Sequence, residues 1–403
     1  MNKTISFQDA VSITLASLPA PDSEICPLEQ LTDRVLGEDA ISRVDSPSID
    51  SSLKDGFAVL STDIQNASPE NPITLKLEGT NFAGKAESLR LKPGTTIRIL
   101  TGAAVPEGAN AVLAEEFASI QGDTVIIRNV AEHGRNILLQ GSDVRKGEII
   151  LDKGTQLHPA AVGLLASAGL THASVIRFPS AALIATGDEV VAPGNPLQQG
   201  KLYASNLVTL AAWCSRFGFT AAASIRKDDT ADIKRGVNEG LEDHDMVITS
   251  GGAWSGERDL VVKTLESMGW NMKYHRVRIG PGKGVAYGLL NGKPVFCLPG
   301  GPPSNLMAFL QLVLPSIQKM AGFPKPGLPV ARAVLSKSVT GQPDWTQFIF
   351  GMLEKRKHQV VRFSPLPRES RLQMLASTEA ILSIPEGMEK ITAGETVEVQ
   401  LLK

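Results

Sequence analysis

The stretch Ala181-Ala182-Leu183-Ile184-Ala185-Thr186-Gly187-Asp188-Glu189 decides the fold. Five apolar residues followed by a Gly-containing polar turn read as a buried strand, too short for a buried helix. Next comes an amphipathic pattern in which Leu207, Leu210, Ala211, Cys214 and Phe217 share one helical face, with Ser205 as a candidate cap. Phe219–Ile225 then reads as a strand, Asp229–Leu241 as a helix and Met246–Thr249 as a short buried strand, before a Gly-rich loop and a helix to about Met268. Lys273–Ile279, Val285–Leu290 and Pro294–Leu298 read as strands, and Asn291-Gly292 as a tight hairpin turn. A helix is expected from about Pro303 to Met320. Strands and helices alternating at these lengths predict a doubly wound, mostly parallel sheet, whose ligands bind outside the carboxyl ends of the strands.

The flanks differ. Phe7, Val11, Leu15 and Leu18 fall on one helical face with Ser6 as N-cap, which also argues against a signal peptide, as do Gln8 and Asp9. From about 24 to 180 the chain breaks into short alternating stretches (Thr96–Leu100, Ala111–Leu113, Thr124–Ile127, Glu148–Leu151) with one helix near Pro159–Ala168. After the linker Pro324–Gly327 the tail alternates again, over Val330–Leu335, Phe348–Leu353, Val360–Phe363, Ala380–Ile384 and Thr396–Leu401, and predicts a small β-barrel or sandwich.

Composition narrows the classes. The 403 residues are 42% hydrophobic and 20% charged with a formal net charge of −2, so no basic excess points to nucleic acid. No apolar run is long enough to span a bilayer, and the cytoplasm is the expected compartment. Cys26, Cys214 and Cys297 lack disulfide or zinc spacing and are expected to be small buried hydrophobes.

Four loops follow strands of the α/β segment: Thr186–Glu189, Ser250–Asp259, Gly280–Gly284 and Pro299–Ser304. A Gly-Gly loop alone is usually a turn, and an acidic residue opening a helix is usually a cap. Four polar loops at one sheet edge imply more. Glycines admit a ligand close to the backbone and free N–H groups bind anions. Lys283 adds a cation, while Asp188, Glu189, Glu257 and Asp259 suit Mg²⁺, ring donors or ribose hydroxyls. The loops Asp50–Ala58, Leu100–Val112 and Gly134–Asp143 of the first half have no evident purpose on these grounds.

Taken together, these segments resemble the molybdopterin molybdenumtransferase family, that is MoeA and the gephyrin E domain. Leu100–Val112 resembles its TGAxVPxGADAVV, Asp50–Ala58 its DNSAMDGYA and Gly134–Asp143 its GxNIRxxGED. Ala185–Val190 resembles STGDEL, Leu202–Asn206 IYDSN, Ser250–Asp259 SGGVSVGExD, Ile279–Gly284 IKPGKP and Cys297–Ser304 GLPGNPVS. The resemblance implies a multidomain α/β plus β protein. Residues 1–45 and 135–179 would form the N-terminal helix and linking domain, 46–134 an inserted β domain, 180–324 an α/β domain resembling the molybdopterin-binding adenylyltransferase fold, and 325–403 a C-terminal β-barrel-like domain.

It also implies an elongated homodimer with its active site between subunits, and insertion of molybdate into adenylylated molybdopterin with AMP release and Mg²⁺ as cofactor. Molybdopterin adenylyltransferase and molybdoenzymes become candidate partners. Asp55, Asp143, Glu189, Asp228, Asp259 and Lys283 are the implied catalytic set, with Glu189 and Asp259 holding the metal. Thr101, Thr186, Gly187, Asp188, Ser205, Asn206, Ser250, Gly251, Gly252, Pro281, Gly282, Pro299, Gly300 and Ser304 are implied to bind substrate.

Departures fall inside the motifs. Gly280 stands where the family usually has Lys, Phe350 where it often has Arg, and Trp254 where it has Ser. Gly284, Gly301, Ala204, Lys54 and Ser142 also depart, and Leu138 and Leu139 replace common basic residues. Lost cations beside retained carboxylates leave two alternatives to the transferase: a divergent paralog handling another oxyanion such as tungstate or another adenylylated ligand, and a non-catalytic scaffold that docks cofactor enzymes. Arg258, Arg276 and Arg278 are the expected compensating charges.

Overall fold

The computed structural model describes residues 4–84, 89–251, 260–355, 361–367 and 371–402. They form two compact units, residues 25–175 and residues 1–24 with 176–403.

The second unit holds a six-stranded sheet of β1 (Ala181–Thr186), β2 (Ala221–Arg226), β3 (Met246–Ser250), β4 (Asn271–His275), β5 (Ala286–Leu290) and β6 (Lys293–Leu298), in the order 2-1-3-6-5-4. The first four strands of that order run parallel, and β5 and β4 add an antiparallel edge. Between β5 and β6 the expected hairpin turn forms, with Asn291 and Gly292 at φ 52° and 78°, the left-handed pair such a turn needs. Successive side chains of a strand point to opposite faces. Leu183, Ile248 and Phe296 therefore join one core, and Ala182, Ile184, Val247, Val295 and Cys297 the other.

Helix Ser205–Arg216 and the long helix from Pro302 to Met320 cover the first face; Thr230–Asp243 and Leu260–Ser267 cover the second. Gly240 lets Thr230–Asp243 approach the sheet, since a Cβ there would lie 2.9 Å from the Cβ of Ala182 and 3.0 Å from Val247. The long helix widens to a π-turn at Phe309–Val313. Pro315 follows at once and has no N–H to return to Gln311, a physical reason for the break in register. Helix Phe7–Ala16 carries the expected Ser6 cap, whose Oγ accepts from Asp9 N. Its Thr14 bonds the Tyr274 hydroxyl at 2.8 Å, and Ser17 just beyond it bonds Tyr287 at 2.7 Å. Residues 1–24 thus group with the α/β core, where the sequence reading placed 1–45 with 135–179.

The C-terminal strands Val330–Leu335, Thr346–Lys355, Val361–Pro365, Ala380–Ile384 and Thr396–Leu401 close into a barrel, because Thr346–Lys355 pairs with both Val361–Pro365 and Ala380–Ile384. Ile279–Gly280 adds to it in parallel beside Thr346–Gln347. A helix, Arg371–Ser377, interrupts the strands where none was expected.

In the unit of residues 25–175, six strands (56–59, 73–81, 95–99, 111–114, 118–121, 124–127) form one sheet around Phe57, Val59, Val125 and Ile127. Helix Pro159–Ser167 packs in a separate cluster with Leu31, Leu36, Leu157 and Val175. All three cysteines are buried. Burial raises the Cys214 thiol to about 11, which suits a packing role. Among the described residues no helix is long and apolar enough to cross a membrane.

Candidate functional site

Strand order reverses between β1 and β3, and a pocket of about 670 Å³ opens at their carboxyl ends. Thr186, Glu189, Ser205, Asn206, Ser250, Gly251 and Gly300 line it. Its outer wall is a two-residue parallel ribbon, Val190–Val191 with Leu202–Tyr203, which zips the Thr186–Glu189 turn to the start of helix Ser205–Arg216. Ser205 is the first residue of that helix rather than its cap; Ala204 takes the cap position without a side-chain bond. Ser205 is therefore not spent on capping and lies on the pocket wall.

Ser250 sits at the centre of a polar clamp. Its Oγ accepts from Asn206 Nδ2 at 3.1 Å and from Asn305 Nδ2 at 3.0 Å. The same amide nitrogens donate to the carbonyls of Gly300 and Pro299, each at 2.9 Å. Thr186 Oγ1 is buried and has no hydrogen-bond partner among the described residues. Gly251 adopts φ 105°, and a Cβ there would lie 3.0 Å from Thr186 O, so the turn needs glycine. Lys201 lines the pocket and donates from Nζ to Asp188 O at 2.6 Å. Glu189 folds its carboxylate back over Gly187, with Oε2 2.7 Å from the place a Cβ would occupy.

Other expected residues lie elsewhere. Asp188 and Asp228 are exposed; Asp228 N donates to Asp188 Oδ1 at 3.4 Å, and neither residue lines the pocket. Lys283 is also outside it, exposed, with its ammonium 5.6 Å from the Trp345 ring centroid. Pro281 lines a second cavity of about 260 Å³ with Pro303, Phe348, Phe350, Leu366 and Met374. Gly282 takes φ 118° and approaches Ser304 O, and Ser304 lies half-buried in the first turn of the long helix. Of the compensating charges expected, Arg278 is engaged by Glu386 at 2.7 Å; Arg276 does not line the pocket. Gly252, Trp254, Glu257, Arg258 and Asp259 lie outside the described residues.

In the unit of residues 25–175, Asp55 Oδ1 accepts from both Thr101 N and Thr101 Oγ1 at 2.7 Å. Those two bonds, the backbone one first, hold its carboxyl below the ordinary value of 3.8, with help from Arg98. Asp143 is exposed, and no described contact joins its side chain to this pair.

Sequence reasoning missed Lys201, Asn305 and Leu372. Lys201 directly precedes a quoted motif and Asn305 directly follows one, so adjacency was the available signal. Leu372 reaches the pocket from the unexpected helix, and only tertiary structure reveals that.

Three family models match in chain order: the MoeA N-terminal region over residues 5–169, the probable molybdopterin-binding domain over 182–319 and the MoeA C-terminal region over 332–402. A molybdopterin molybdenumtransferase 2 of Mycobacterium tuberculosis is 34% identical over 93% of both chains. The chain belongs to the MoeA family. A molybdopterin molybdenumtransferase of Haemophilus influenzae is 30% identical over 98% of both chains. The family fold holds throughout: the crystal structure of the molybdopterin biosynthesis MoeA protein from Pyrococcus horikosii superposes with a TM-score of 0.84, at 30% identity and full coverage of both chains.

Proposed function

We propose that this protein is a molybdopterin molybdenumtransferase that acts in molybdenum cofactor biosynthesis, inserting molybdate into adenylylated molybdopterin with release of AMP. The observation that carries the reading is the pocket of about 670 Å³ at the strand-order reversal, walled by residues from four motifs of the family. Its lining mixes donors (Ser250, Lys201) with a carboxylate (Glu189), which matches a ligand having both anionic oxygens and ring N–H donors.

Mg²⁺ binds through one or two carboxylates together with substrate phosphate oxygens. Glu189 is the described pocket carboxylate and fits that role, with Asp259 as its proposed companion; the ion would supply charge to the phosphoryl oxygens. Thr186, Gly187, Ser205, Gly251 and Gly300 hold the ligand in this reading, and Asp55, Thr101 and Asp143 act from the first-half domain of a second subunit in a homodimer working in the cytoplasm. Purified protein should release AMP from adenylylated molybdopterin only when molybdate and Mg²⁺ are both present. Hydrolysis that ignores molybdate, or none at all, overturns the proposal.

A second reading has one observation in its favour. The cavity lined by Pro281, next in the chain to Gly280, is apolar and includes Phe350, a position where the family often carries Arg. That favours another oxyanion or weaker molybdate affinity. Competition between tungstate and molybdate in the same assay separates the two.

A further inference from the structure

A neutral hydroxyl has one O–H to donate and two lone pairs to accept with. Ser250 Oγ accepts from two amide nitrogens, Asn206 Nδ2 and Asn305 Nδ2. The orientation of both amides is settled by their other bonds, because the carbonyls of Gly300 and Pro299 can only accept. Both lone pairs of Ser250 are therefore filled, and its proton cannot point at either amide. Among the described residues that hydroxyl donates no hydrogen bond, and Ser250 lines the pocket. On the neighbouring strand end, the buried Thr186 hydroxyl also lacks a partner. Lys201 brings an ammonium to the same pocket and spends one of its three donors on Asp188 O.

We infer that Ser250 is a fixed hydrogen-bond donor to an anionic oxygen of the ligand, and that Asn305 is the positioning residue that fixes it. Asn305 is 1% exposed, so it orients Ser250 from behind while Asn206 does so from the pocket side. Lys201 supplies the accompanying charge from the pocket wall. The ligand identity rests on the transferase reading; the direction of the donor rests on the clamp alone. The anionic oxygen belongs to a tetrahedral group, either the phosphoryl of the adenylate or the free oxyanion, and two probes distinguish them.

AMP and molybdate are titrated separately by calorimetry into wild type, Ser250→Ala, Asn305→Asp and Asn305→Ala. Ser250→Ala should weaken binding about tenfold or more, the loss expected for one bond to a charged acceptor. Asn305→Asp replaces a donor by an acceptor, so the Ser250 proton turns inward and the loss should match Ser250→Ala without adding to it in the double variant. Asn305→Ala offers no competing acceptor and should cost about threefold or less.

Weakening of AMP alone supports the phosphoryl oxygen, and of molybdate alone the free oxyanion. Should Asn305→Asp fail to fold, Asn206→Asp presents the same reversal from the half-buried pocket side. Unchanged affinity for both probes in folded Ser250→Ala overturns the inference, as do equal losses in Asn305→Asp and Asn305→Ala, or a wild type that binds neither probe. Anion binding without molybdenum insertion would remove the transferase reading and leave the donor standing. Insertion undiminished in Ser250→Ala and Asn305→Asp would do the reverse.

Discussion

Two cavities of the α/β and barrel unit draw on loops of the same set of motifs, and both have apolar walls, yet only one carries charged and hydrogen-bonding side chains as well. The pocket of about 670 Å³ gathers hydroxyls, amides, one ammonium and one carboxylate at the carboxyl ends of β1 and β3. The cavity of about 260 Å³ at the barrel seam presents Pro281, Phe348, Phe350, Leu366 and Met374. Backbone features that shape a loop survive in both: Gly187, Gly251 and Gly282 all take positive φ. Side-chain chemistry survives in only one. Family membership thus predicts the path of the chain at both places, and predicts ligand chemistry only where the side chains persist.

The comparison breaks most visibly at Phe350, which is 5% exposed. Phe350→Arg restores a residue type common in the family but buries a charge among apolar neighbours. It should cost about 3 kcal/mol or more in a urea titration. A variant as stable as wild type with tighter molybdate binding would show that the seam is an oxyanion site lacking only its cation.

Thr186→Val tests the polar side, and two readouts should move in opposite directions. The substitution removes a buried hydroxyl without a partner, so the unliganded protein should gain about 1 kcal/mol. AMP binding should weaken about tenfold, the range of a bond to a charged group. Stability and affinity falling together would mean that the hydroxyl serves the fold.

Gly280→Lys sharpens the comparison further. Gly280 is not among the glycines at positive φ, and the nearest atom to an added Cβ is Gln347 Cγ at 3.9 Å. The strain that could have attended a lysine there is absent, and stability should change by less than about 0.5 kcal/mol. Molybdate at half-maximal AMP release should fall several-fold, as a nearby unit charge at an effective dielectric of about 20 permits. Unchanged dependence in a folded variant makes the missing cation irrelevant.

The sheet was legible in the sequence because buried strands and amphipathic helices leave different periodicities, and β1, β3 and β6 each hold a continuous apolar run (Ala181–Ala185, Met246–Ile248, Pro294–Leu298). Asn291-Gly292 marked its hairpin for a purely local reason. Helix Arg371–Ser377 was not legible, since seven residues carry too little periodicity to stand out between strands. At the pocket, the loops were legible and their contents less so. Ser250 and Asn206 were expected singly, but their clamp requires Asn305, whose amide reaches back from the long helix. Lys283 looked like the site cation because of its motif; side-chain direction, which sequence does not contain, places it by Trp345 and puts Lys201 in the pocket instead.

The smallest expected effect concerns the first-half motif. Asp55 is exposed, so its lowered pKa owes nothing to burial; the Thr101 backbone N–H is the main cause and the Thr101 hydroxyl the second. A folded value below the unfolded 3.8 means that ionised Asp55 favours the folded state above that pH. The contribution fades as pH falls through the lower folded value. At neutral pH the carboxylate is fully charged and committed through Oδ1 to the Thr101 turn. Thr101→Val removes the hydroxyl and keeps the backbone donor. The Asp55 carboxyl, followed by NMR, should therefore titrate higher than in wild type yet still below 3.8. A return to the ordinary value would rank the hydroxyl above the backbone bond. An ordinary value in wild type would break the comparison from the other side. Asp55 would then be free of the turn, as the polar pocket's Glu189 is free of any described hydrogen bond from its side chain, and available to a ligand through both oxygens.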